Sequence, residues 1–163
     1  LDSPITELDR AVLAEAKRRD DAVRLMTHPG IGPVNALAFV LTIGPVARFE
    51  HSRKLVSYLG LNPSEESSGG RRRLGAISKQ GNTMVRWLLV EAVHHAVRQD
   101  FALRQDYQRL KFRRGHAVAK VAIARKLAVR MYWMLRRGAD YARLVRMQGS
   151  PGATLLNASS SLG

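Results

Sequence analysis

Cysteine does not occur anywhere in the 163 residues, which excludes disulfides and thiolate metal sites. No apolar run approaches the ~18 unbroken residues of a membrane span, and no segment resembles a secretory signal. A soluble, intracellular protein is the expectation. No glycine-rich GxxxxGK[ST] loop and no GxSxG elbow is present, so a nucleotide-binding P-loop and a Ser-His-Asp hydrolase both lack their carrying residues. Carboxylates are scarce where the charge is greatest: residues 71–137 hold only Glu91, Asp100 and Asp106, scattered along the chain. A nuclease that holds its own Mg²⁺ needs several convergent carboxylates, so this chain alone makes a poor one. His94 and His95 are adjacent, about 100° apart on a helix, and cannot share one metal ion.

Positive charge is abundant and unevenly placed. The net charge is +14; residues 1–70 carry 8 Lys/Arg against 9 Asp/Glu, and residues 71–137 carry 17 against 3. Such asymmetry points to a polyanionic partner, with nucleic acid first. A membrane-surface helix within residues 116–137 is the rival reading, because Lys and Arg there alternate with apolar residues. The net reading is no membrane.

Period-3.6 patterning dominates and no strand-rich segment or repeat emerges, so the predicted fold is mainly α. The expected architecture is a compact helical domain with a helix-hairpin-helix-like unit, a Ser/Gly/Arg loop and a long basic C-terminal helix. Residues 4–27 read as one helix, with Pro4 in its first turn and Ile5, Leu8, Val12, Arg19, Val23 and Met26 close to a heptad seam. That seam suggests the end of a coiled-coil connector, residues 1–24, from a longer protein. Pro29 stops this helix, Gly30 and Gly32 supply tight backbone with positive φ, and Pro33 starts a helix that continues through Ile43. A Gly-hydrophobic-Gly turn at a helix start offers amide N–H groups to a DNA phosphate without reading sequence.

Residues 46–59 form a shorter helical unit closed by Gly60. Asn82 is the expected N-cap of a helix over Thr83–Arg98, with Trp87, Leu88, Val90, Glu91 and Val93 including its mostly buried face. Further helices are predicted over Ala102–Phe112 and 116–137, the latter packing through Val118, Val121, Ala122, Leu127, Met131 and Leu135. Order fades after Tyr141. The domain is bounded at 25–146, and 147–163 reads as a flexible Gly/Ser-rich tail.

Between Gly60 and Asn82 the sequence GLNPSEESSGGRRRLGAISKQGN concentrates serine, glycine and arginine, with an extended or hairpin piece expected from Arg71 to Ile77. Serine beside glycine gives an exposed hydroxyl on permissive backbone, and Arg71, Arg72, Arg73, Lys79 and Arg86 supply donors for phosphate. A serine attacking a phosphodiester needs such a hydroxyl, cations for the charge developing on phosphoryl oxygens, and a group that takes the proton. The first two are present; the third is not visible. A solvated basic connector is the competing reading of the same stretch.

Three motifs in order, HPGIGPVNALAFVLTIG, then RFEHSRKLVSYLGLNPSEESSGGRRRLGAISKQGNTMVRWLLVEAV, then KVAIARKLAVRMYWMLRRG followed by Asp140-Tyr141, resemble the C-terminal transposase domain of IS110/IS1111-type insertion-sequence transposases, a group that includes the Piv-type DNA invertases. The resemblance covers roughly Leu25 to Tyr141. It implies a DNA transposase or recombinase in which Ser68, or its neighbour Ser67, is the nucleophile; Ser78 looks structural. It further implies a RuvC-like domain elsewhere that holds Mg²⁺, no cofactor in this chain, a structured guide RNA, homo-oligomers, and a bacterial or archaeal cytoplasm with nucleoid association. The expected DNA- or RNA-binding residues are Gly30, Gly32, Arg71, Arg72, Arg73, Lys79, Arg86, Lys120, Arg125 and Lys126. The alternative function is a non-catalytic nucleic-acid-binding and oligomerisation module.

Overall fold

The computed structural model describes residues 3–62 and 76–148, with backbone alone for 76–81. The remaining positions, including Ser67, Ser68, Arg71, Arg72, Arg73 and the segment 149–163, lie outside the described residues. Within them the chain forms eight α-helices and one 3-10 turn, with no strand.

The first predicted helix is two. Helix α1, Pro4–Arg18, starts where Ser3 Oγ accepts the Thr6 amide at 3.3 Å with Pro4 in the first turn. Arg19 then adopts an extended conformation (φ −105°, ψ 117°), and α2, Asp20–Met26, begins afresh. The sequence allows the break because Asp20 and Asp21 suit a helix N-terminus, and Asp21 also accepts both Nε and a terminal nitrogen of Arg19 at 3.2 Å. Of the expected seam, Ile5 is 72% and Leu8 64% exposed. Ala16, Ala22 and Leu25 are the residues of this region that reach the core.

Helix α3, Pro33–Ile43, follows the Thr27–Gly32 turn and ends at Gly44 with φ 64°. A 3-10 turn, Val46–Arg48, leads to α4, Ser52–Tyr58. That helix closes as a Schellman turn: Gly60 sits at φ 70°, its amide donates to the Ser57 carbonyl, and the Leu61 amide reaches back to Val56. Helix α5, Ala76–Gln99, starts earlier than expected. Asn82 therefore lies inside the helix rather than capping it, and Ile77 is helical too. Asp100 caps α6, Phe101–Arg114, by accepting the Leu103 amide at 3.1 Å. Gly115 (φ 91°) turns the chain into α7, His116–Arg137. Order continues past Tyr141: α8 spans Tyr141–Gln148, capped by Asp140 Oδ1 on the Arg143 amide.

Helix α7 is the centre of the packing. It buries Ala119, Ile123, Ala124, Leu127, Ala128, Val129, Met131, Tyr132 and Met134 against α4, α5 and α6, and Tyr132 Oη donates to the Phe49 carbonyl at 2.9 Å. Its alanines let neighbouring helices approach closely, and its leucine, isoleucine and methionine side chains fill the remaining volume. Leu127 and Met131 are buried as expected. Val118 instead is 47% exposed, because the inward stripe begins at Ala119. On α5 the buried stripe is Val85, Leu89, Ala92, Val93 and Ala96; Trp87, expected near this face, is 61% exposed.

Candidate nucleic-acid interface

The two flanks of the serine-rich segment are fastened to the helical core. On one side the Schellman turn delivers Leu61, fully buried, whose carbonyl accepts Nε of Arg125 at 2.8 Å. On the other side Asn82 Nδ2 donates to the Tyr58 carbonyl at 2.7 Å. Arg86 completes the junction, since a Cβ at Gly60 would lie 3.3 Å from its guanidinium. Tyr58–Leu61, α5 and α7 thus meet at one place, with two arginines in it. Burial pulls the Arg125 pKa down from its ordinary value, the only cause of its shift. Asn82 Oδ1 is buried there without a donor among the described residues.

The other expected contact residues fall apart in space and in role. Lys126 is ion-paired with Asp106 at 2.6 Å, and Arg109 takes the other oxygen of that carboxylate at 2.7 Å. Lys120, half-buried in the first turns of α7, has no ion-pair or hydrogen-bond partner among the described residues. Lys79 is on α5 with its side chain outside the described residues. Gly30 has φ 85° and lies directly on α5, where an added Cβ would approach the Ala96 backbone nitrogen to 2.6 Å. Its glycine is required by packing and conformation together. Gly32 was expected at positive φ; it is extended (φ −93°, ψ −176°), because Pro33 disfavours other conformations before it. Beside it an open cleft of about 590 Å³ is lined by Thr27, His28, Gly32, Asn35, His95 and Gln99.

A polar cluster that the sequence did not reveal joins this turn to α7 and α8. Asp100 Oδ2 accepts Tyr141 Oη at 2.7 Å and an Arg130 terminal nitrogen at 3.1 Å, with the ionised side chains only 11% and 18% exposed. His28 is 1% exposed, holds the Pro29 carbonyl at 2.8 Å through Nδ1, and packs on the Tyr141 ring at 4.4 Å. The Tyr141 amide donates to Thr27 Oγ1 at 2.9 Å. Burial pushes the Asp100 pKa up, yet the hydrogen bonds from Tyr141 and Leu103 and the charge of Arg130 outweigh it and leave the carboxyl below its usual range. Burial, aided by Arg130 and opposed by the Pro29 carbonyl, lowers His28 to about 4. Tyr141 is raised to about 12 by burial and by Asp100. One signal was available: in a stretch of 17 cations and 3 acids, each buried acid must find a cation.

Among the described residues no group of three or more His, Asp or Glu converges to hold a metal ion, and no helix is long and apolar enough to cross a membrane.

The family model for the transposase IS116/IS110/IS902 family matches residues 22–108, from α2 through the serine-rich segment into α6. The chain belongs to this transposase family. Among the curated proteins similar to it are a probable family 20 transposase of Pseudomonas aeruginosa, 36% identical over 83% of this chain and 41% of that protein. The transposase for insertion sequence element IS1111A of Coxiella burnetii is 33% identical over 86% of this chain and 40% of its own length. The transposase for element IS1328 of Yersinia enterocolitica is 32% identical over 80% and 40%. The chain thus spans about two fifths of the length of these transposases. No solved structure matches it. The family match takes in the turn at Gly30, the junction at Leu61 and the Asp100 cap, whereas Arg125, Arg130 and Tyr141 lie beyond residue 108.

Proposed function

We propose that this chain is the DNA-binding, nucleophile-bearing part of an RNA-guided transposase, with Ser68 attacking a DNA phosphodiester. The observation that supports it is the junction of Tyr58–Leu61 with Arg125, Asn82 and Arg86, which fixes both flanks of the serine-rich segment on the basic half of the molecule. A nucleophile must be held against its phosphate, and anchored flanks with nearby guanidinium groups serve that need. In the reaction a bond forms between Ser68 Oγ and phosphorus while one P–O ester bond of the DNA strand breaks. The serine proton passes to a base outside the described residues, and the departing deoxyribose oxygen gains a proton. Arg71, Arg72, Arg73, Lys79 and Arg86 balance the phosphoryl charge.

Mg²⁺ would be held by a RuvC-like domain of the same or another protomer; among the described residues of this chain no three carboxylates or histidines converge for it. The Gly30–Gly32 turn contacts backbone phosphate in the manner of a helix-hairpin-helix; the amides of Gly32, Val34 and Asn35 have no acceptor among the described residues. The assembly is a homo-oligomer that carries its structured guide RNA in a prokaryotic cytoplasm. Denaturing electrophoresis of labelled DNA with the complete transposase tests the assignment. Wild type leaves a covalent protein–DNA adduct and Ser68→Ala leaves none while still binding DNA; an adduct that survives Ser68→Ala would sink the assignment to Ser68, and one that survives the double variant Ser67→Ala, Ser68→Ala would place the nucleophile elsewhere.

A further inference from the structure

The junction of α6 and α7 carries the most exposed large apolar side chain among the described residues: Phe112, 93% exposed. Helix α6 packs through Leu103 and Tyr107, and Phe112 follows Tyr107 by five residues, about 140° around the helix from that stripe. The face of α6 that packs on the core therefore leaves it bare. Lys111 and Arg113 stand about 100° around the helix to either side of it, Arg114 follows at the helix end, and all three are exposed. Lys120 follows His116 by four residues, one turn on along α7 and on the same side of that helix; partial desolvation lowers the His116 pKa, and the charges of Lys120 and Lys111 both add to that shift.

None of these four cations has an ion pair or side-chain hydrogen bond among the described residues. Their neighbours differ. Arg109 and Lys126 share Asp106, Arg130 has Asp100, and Arg104 donates to the carbonyls of Val97 and Arg98. Cations left unpaired around one bare aromatic ring ask for a partner that offers several anions and a flat apolar surface together. Duplex DNA does so, because phosphates border every base step and apolar side chains enter such steps beside basic residues. An acidic protein surface would supply carboxylates, but a stacking plane only where an aromatic side chain stands among them, whereas every DNA base step has one.

We infer that Phe112 is a wedge that enters a base step of duplex DNA while Lys111, Arg113, Arg114 and Lys120 take the flanking phosphates. The inference rests on the DNA-binding part of the proposed function and adds to it a second contact, separate from the serine-rich segment. Because Phe112 makes no packing contribution to the core, its removal leaves thermal unfolding unchanged, which circular dichroism checks.

Anisotropy titrations of an end-labelled duplex with the chain give the first test. Phe112→Ala weakens binding by about 5- to 100-fold with the salt dependence unchanged. The triple variant Lys111→Gln, Arg113→Gln, Arg114→Gln lowers the slope of log Kd against log salt by about three. Energy transfer between labels on the two duplex ends gives the second test: wild type shortens the end-to-end distance by kinking the DNA, and Phe112→Ala does not. A Phe112→Ala chain that binds and bends DNA as wild type does would overturn the wedge and leave DNA binding standing. A wild-type chain that binds no duplex overturns both. A Phe112-dependent preference for an RNA hairpin or for anionic vesicles over the duplex overturns the choice of partner.

Discussion

Lowering the pH from 7 to 5 should destabilise this fold chiefly through His28. The imidazole is 1% exposed among α2, α7 and α8, and its pKa falls from 6.5 to about 4 on folding. The unfolded chain therefore takes up a proton near pH 6.5 that the folded chain refuses until about pH 4. For a group depressed in this way, stability is fully present above pH 6.5 and is lost as the pH falls toward 4. With a spacing of about 2.5 units, linkage gives a loss of about 2 kcal/mol between pH 7 and pH 5 and about 3 kcal/mol at full protonation. Urea denaturation followed by circular dichroism at both pH values measures it. For a slope of about 2 kcal/mol per molar, the midpoint drops by about 1 M. His28→Gln removes the titrating group, so most of this drop should vanish in the variant, even though its stability at pH 7 is lower. Equal pH dependence in wild type and His28→Gln would refute the reasoning, as would a His28 ring resonance that titrates near 6.5.

Further outcomes follow from the same packing. Gly30→Ala combines a left-handed backbone with a Cβ 2.6 Å from the Ala96 nitrogen, and should lower stability by about 2–4 kcal/mol in thermal melts. Asp100→Asn leaves the Arg130 charge half-desolvated and should cost about 3 kcal/mol, whereas Tyr141→Phe should cost about 1 kcal/mol. The double variant should lose less than the sum if the three groups act as one cluster, and strict additivity would contradict that. Arg125→Met deprives the buried Leu61 carbonyl of its donor and should cost about 1–3 kcal/mol by the same melts.

Much of the fold was legible in the sequence because its helices carry their own punctuation. Pro33 and Gly60 mark ends that the structure keeps, and the span 116–137 is α7 to the residue. The misreadings have a common cause. An amphipathic stripe tells which residues are apolar, not which neighbour will cover them; Ile5, Leu8, Val118 and Trp87 all satisfy the pattern and stay exposed. The break at Arg19 rests on a local contact with Asp21 that an amphipathic pattern does not display, and Asn82, expected as a cap, instead holds the distant Tyr58 carbonyl from within α5.

Site legibility was of a different kind. Positive charge located the basic half, yet charge alone cannot separate an arginine that faces solvent from one that holds a carbonyl. Arg125 and Lys126 were both expected at nucleic acid, and both have partners within the chain. Lys111, Arg113 and Arg114, without ion pairs among the described residues, read in the sequence as the solvated end of a helix. His28, Asp100, Arg130 and Tyr141 come from four separate parts of the chain, so only the folded arrangement joins them.

The central claim concerns the serine hydroxyl, and the most direct measurement is the position of the covalent bond. DNA trapped on the complete transposase, digested with nuclease and protease and read by fragment mass spectrometry, should leave a nucleotide mass on the peptide that contains Ser67 and Ser68. The account predicts fragment ions that assign it to Ser68. Strand-exchange products formed with the nucleotide mass on a residue outside that peptide, or with no protein-linked DNA at any time, would contradict it.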